Sequence, residues 1–143
     1  MTCLRHSGIV VQDVEKSIIF YCDYLGFDVI DDRCEGGEYL ETILGLPGAC
    51  ARTVKIRGSD SGMIELLEFR NPRIGTAGQT VGLMGPGPTH VALTVDNIDK
   101  LYLELLEKGI EFITSPKTSP DGKVKLAFCR DPDGVYLELV QEM

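Results

Sequence analysis

Two stretches of this chain begin with histidine and continue alike. HSGIVVQDV starts at His6 and HVALTVDNI at His90, an offset of 84 (90 − 6), and these are the only histidines in the sequence. A chain made of two copies of one unit is confined to folds in which each copy forms the same small motif and neither covers its apolar face alone. Both stretches are short and rich in β-branched residues, so both read as strands.

The likeness continues downstream. Val14, Ile18, Tyr21, Cys22 and Leu25 recur at helical spacing, and 84 residues further on stand Ile98, Tyr102, Leu105, Leu106 and Gly109. Asp13 and Asn97 precede these runs as N-caps, and Gly26 and Gly109 stop them. Next come FDVI from Phe27 and IEFI from Ile110, read as strands, and then a hairpin in each half. ARTVKIRG turns through SDSG into MIELLEF, and KVKLAFCR turns through DPDG into VYLELVQ. Each half therefore reads β-α-β-β-β. The predicted fold is α+β: two tandem modules forming a cupped, incompletely closed eight-stranded barrel with the helices outside. The predicted boundaries are 1–70 for the first module, 71–87 for a Gly/Pro-rich linker and 88–143 for the second.

Composition narrows the partners. The 143 residues are 43 % apolar and 25 % charged, enough for a core without staples, and the net charge is −8. That charge argues against nucleic acid or an anionic membrane as partner, since both require a basic patch. No apolar run approaches membrane-spanning length, and Arg5 and His6 interrupt the N-terminal stretch, so no signal peptide is expected. Cys3, Cys22, Cys34, Cys50 and Cys129 are odd in number and form no C-x-x-C pair, which predicts free, mostly buried thiols in a reducing, cytoplasmic setting.

The candidate site follows from strand alternation. His90, Ala92 and Thr94 share one face of their strand, opposite Val91, Leu93 and Val95; His6, Gly8 and Val10 stand opposite Ile9 and Val11. In the last strands Glu138 shares a face with Tyr136 and Val140, and Glu65 with Met63, Leu67 and Phe69; Glu68 lies on the other side. A carboxylate inside YLELV or MIELL is costly to bury without a compensating charge. His6, Glu65, His90 and Glu138 thus form a pseudo-symmetric set suited to one divalent ion, zinc, nickel, cobalt, manganese or iron. One irregularity stands out. Glu65 lies three residues past Gly62 but Glu138 four past Gly134, which predicts a one-residue difference between the hairpins, such as a bulge.

Together, the paired modules and the motifs THVALTVDNID, IELLEF and DPDGVYLELV resemble the vicinal oxygen chelate superfamily, its glyoxalase I and methylmalonyl-CoA epimerase branch above all. The resemblance covers essentially the whole chain. It implies that the four residues are metal ligands, that the substrate is a small molecule with adjacent oxygens, and that Glu138 and Glu65 are candidate bases. The implied activity is that of a metal-dependent isomerase, epimerase or lyase, moving a proton next to a carbonyl through a metal-stabilised enolate or enediolate, and the implied assembly is a homodimer. Bacterial glyoxalase I has a glutathione-contacting arginine where this chain has Val10, so the thiol cosubstrate stays open. The loop GGEYLETILGLPGA, with Tyr39, Leu44 and Leu46, is expected to cover the cup and, with Phe69, to hold substrate. Two other readings stand beside this one: an extradiol-type ring-cleavage dioxygenase, and a non-enzymatic binding or resistance protein.

Overall fold

The structure, a computed structural model, describes residues 2–73 and 86–143, so most of the 71–87 linker lies outside the described residues. The chain forms two compact units, Met1–Gly78 and Gln79–Met143.

The first unit contains β1 (Ser7–Val10), α1 (Val14–Ile18) continued by a π-helical stretch Ile19–Tyr24, β2 (Asp28–Gly36), α2 (Glu38–Leu44), β3 (Cys50–Arg57) and β4 (Met63–Asn71). Its open sheet has the order β1-β4-β3-β2, with β1 parallel to β4 and the other pairs antiparallel. The second unit contains β5 (His90–Thr94), α3 (Ile98–Glu107), β6 (Lys117–Thr118), β7 (Val124–Arg130) and β8 (Tyr136–Glu142), in the same order, β5-β8-β7-β6. The α+β class and the two matched sheets are as the repeat implies, and neither four-stranded sheet closes on itself.

Local chemistry explains the helix ends. Asp13 Oδ1 accepts the N–H groups of Glu15 and Lys16 at 3.1 and 3.2 Å, and Asn97 Oδ1 accepts that of Lys100 at 3.0 Å. Gly26 and Gly109 sit at φ 77° and 78°, the left-handed conformation that ends a helix. The first helix departs from ideal spacing. Its π stretch widens the turn, so Val14, Ser17, Phe20 and Tyr21 are its buried residues, and Phe20, absent from the predicted face, packs edge-on to Tyr21. The sheets meet their helices through one alternating set each: Ile9, Ile64 and Leu66 in the first unit, Leu137 and Leu139 in the second.

Three expectations need correcting. IEFI makes only an isolated bridge, Phe112 to Cys129, and the fourth strand is the later Lys117–Thr118, just past Pro116, which has no N–H to give a ladder. GGEYLETILGLPGA is no loop: it contains α2, which buries none of its residues and ends at Gly45 (φ 64°). Of the five cysteines, which are all free, only Cys129 is buried; Cys3 and Cys34 are exposed.

Candidate metal-binding pairs

Register places each histidine beside its glutamate. In the parallel β1–β4 pair Gly8 is opposite Glu65, and in β5–β8 Ala92 is opposite Glu138. Each histidine stands two residues before that small residue, on the same face, so it meets the glutamate along the diagonal. His6 Nε2 lies 3.2 Å from Glu65 Oε2, and His90 Nε2 lies 3.3 Å from Glu138 Oε2. Glycine and alanine leave this approach unobstructed. The neighbouring positions alternate as predicted: Ile9 is buried, whereas Gly8, Val10, Ala92 and Thr94 are exposed.

The predicted one-residue slip is absent. Gly58 N–H donates to Gly62 O at 3.1 Å, and Asp131 N–H donates to Val135 O at 3.0 Å. The two hairpins thus close over the same number of residues and superimpose at one offset, 73 (138 − 65). Gly134 corresponds to Ser61 rather than Gly62, so counting from the glycines misaligned equal strands. The same offset relates Glu68 to Gln141. Glu68 Oε1 accepts Val14 N–H at 3.3 Å and Gln141 Oε1 accepts Ile98 N–H at 2.8 Å, so each ties the back of its strand to the start of a helix. Glu68 is thereby excluded as the partner of His6.

Around the shared pair the units differ. Lys55 is directly opposite Glu65, with Nζ 3.7 Å from Oε1. Its counterpart Phe128 is directly opposite Glu138, and its ring meets that of His90 edge-on at 5.4 Å. Thr89 Oγ1 lies 2.9 Å from His90 Nδ1, whereas His6 Nδ1 is buried without a hydrogen-bond partner. Strand alternation alone could not show these differences, although the 73-residue offset aligns Lys55 with Phe128 once it is recognised.

Within either unit, no third His, Cys, Asp or Glu joins the pair among the described residues. Of the four residues expected at one centre, His6 pairs with Glu65 in the first unit and His90 with Glu138 in the second. Of the expected substrate contacts, Phe69 is half-buried on the Glu65 face of β4. Tyr39, Leu44 and Leu46 are exposed, 77 % in the case of Tyr39, and follow the edge strand β2, two strands away from β4.

A family model for the glyoxalase/bleomycin resistance protein/dioxygenase superfamily matches residues 4–139. The chain belongs to this superfamily. It is 34 % identical to a lactoylglutathione lyase of Schizosaccharomyces pombe over 97 % of its own length but only 47 % of that protein, so it spans about half of this relative. It is 37 % identical to the uncharacterised protein YwkD of Bacillus subtilis, over 97 % of this chain and 96 % of that one. It is 30 % identical to a probable lactoylglutathione lyase of Synechocystis, over 96 % and 94 %. Among solved structures, a glyoxalase family protein from Bacillus cereus shares the fold with a TM-score of 0.91 at 22 % identity, over 100 % of this chain and 95 % of the other. No helix among the described residues is long and apolar enough to cross a membrane.

Proposed function

We propose that this superfamily member is a divalent-metal-dependent lyase or isomerase, of glyoxalase or epimerase type, that moves a proton on a carbon next to a carbonyl. The observation that carries the reading is the recurrence of one His–Glu pair, with donor atoms 3.2 and 3.3 Å apart, at equivalent positions of both units. With bond lengths near 2.1 Å, two donors on neighbouring vertices of one ion stand roughly 3–3.4 Å apart, so each pair fits two adjacent ligands. Imidazole nitrogen and carboxylate oxygen suit zinc, nickel, cobalt, manganese or iron. His6, Glu65, His90 and Glu138 would hold the ion. Bound there, a divalent ion supplies Lewis-acid polarisation of the substrate carbonyl and stabilises the negative charge that develops on its oxygen.

The proton is moved by the protein's own carboxylate. Glu65 is held by Lys55 as well as His6, which tethers it in a fixed position. Glu138 has Phe128 in place of the lysine, leaving it the freer of the two to take a proton from the substrate carbon and return it to another carbon or another face. A positioned base is typically worth about 10²–10⁴-fold. Relatives named lactoylglutathione lyase support the choice of a lyase, while Val10, exposed on β1, leaves the thiol cosubstrate open. The free cysteines favour a reducing, cytoplasmic setting, and the exposed apolar residues of α2 favour a homodimer.

Metal titration of chelator-treated protein tests the core of this reading. One tightly bound ion per chain is expected, lost in His6→Ala and equally in His90→Ala. Two ions per chain, or unaltered uptake in either variant, would overturn this reading. Glu138→Gln is expected to retain the ion and to slow solvent deuterium exchange into substrate by about 10²–10⁴-fold.

A further inference from the structure

The row of residues that contains His90 also contains a guanidinium. His90 is directly opposite Tyr136, and Tyr136 is directly opposite Arg130 on its other side. Directly opposed residues share a face, so all three project from the side of the sheet that carries Glu138. Arg130 is held in place there. Its Nη2 donates to Tyr136 Oη at 2.6 Å, and its Cζ lies 4.6 Å from the centroid of the Tyr136 ring. Arginine and tyrosine are both half-buried.

Arg5, Arg57, Arg70 and Arg73 also stand outside the ion pairs of the described residues, but they are exposed; what distinguishes Arg130 is that it is half-buried as well as without such a pair. None of the ion pairs among the described residues includes it. The adjacent Asp131 is turned into the hairpin, where its Oδ1 accepts the N–H groups of Asp133 and Val135 at 2.9 and 2.8 Å. By contrast, Arg52 on β3 is bound on both sides, to Asp32 and Glu15. The first unit has an arginine at the equivalent place, Arg57, but it is exposed and faces Met63, which offers no hydroxyl to orient it. An aligned, partly desolvated guanidinium with donors to spare is the side chain best matched to carboxylate or phosphate oxygens, which it can bind through two parallel hydrogen bonds.

We propose that Arg130, oriented by Tyr136, binds an oxyanion of the substrate, a carboxylate or a phosphate, beside the His90–Glu138 pair. The proposal rests on the reading of that pair as part of the reactive centre and adds the substrate class: a carbonyl compound that also carries an acid group. Arg130 is a binding residue, and Tyr136 positions it.

The test uses full-length, metal-free protein, so that its outcome is separable from that of metal binding. Acetate, inorganic phosphate and uncharged acetamide are titrated at constant ionic strength, and the Arg130 Nε–H resonance is followed by NMR. Acetate, phosphate or both are expected to shift it saturably, and which of them binds more tightly identifies the acid; acetamide is expected to leave it unmoved. Followed through the His90 ring resonances, the same titration is expected to weaken at least tenfold in Arg130→Gln, to weaken less in Tyr136→Phe, and to be unchanged in Arg57→Gln. No saturable response to either anion, or an undiminished one in a folded Arg130→Gln protein, would refute the proposal. Loss of binding in Arg57→Gln would refute it equally, by placing the anion elsewhere.

Discussion

Single side chains set the chemistry, and position 129 shows how strongly burial controls it. Cys129 lies in the core of the second unit, and its thiol is pushed up to about 12, first by burial and then by the Asp131 charge. Thiolate is the reactive form, so a raised value in the folded protein means a protected thiol. A maleimide near pH 8 is expected to label exposed Cys3 and Cys34 rapidly and Cys129 only as the protein unfolds, as peptide mass spectrometry would report; fast native labelling of Cys129 would contradict the packing. Residue type and alternation were enough to put His6 on the face of Glu65 and His90 on that of Glu138, and to set Glu68 aside. They could not reveal Lys55 beside Glu65 or the Arg130–Tyr136 contact, because these depend on which residue a neighbouring strand places opposite.

At the level of elements, the strands that bear the glutamates also anchor the helices. Glu65 and Glu138 face one side, and three residues later Glu68 and Gln141 face the other and accept the first helical N–H groups. Gln141→Leu strands the Ile98 N–H without this acceptor. It is expected to cost about 1–2 kcal/mol, seen as a lower urea midpoint at unchanged slope. Helix caps and glycine stops were legible in the sequence because they are local chemistry. The π-helical widening at Ile19–Tyr24 was not, because regular helical spacing was assumed throughout and Phe20 falls off that face. The failed strand at IEFI and the helix within GGEYLETILGLPGA were misread for the opposite reason: local pattern was trusted where Pro116 and the capping Gly45 decide.

For the molecule as a whole, a bound metal ion would add to stability. Binding at a concentration of 100 times Kd stabilises by about 2.7 kcal/mol. For a chain of this size that amounts to a rise in Tm of roughly 5–10 °C, which a chelator should reverse and which His90→Ala should abolish, both measurable by calorimetry. The repeat and its first offset were legible, 84 through the caps Asp13 and Asn97, but the second was not: 73 holds through the hairpins. Of the eleven residues by which they differ, one is lost within the helix, since Gly26 and Gly109 are 83 apart, and ten fall between that glycine and β3, where the first unit carries α2 beyond the edge strand. His and Glu are 59 residues apart in one unit (65 − 6) and 48 in the other (138 − 90), yet both pairs close to within 0.1 Å of the same distance. The segment around α2 is therefore the part of this architecture that can be lengthened, trimmed or exchanged without disturbing the pair, a place where descendants or designers could graft new surface onto an unchanged centre.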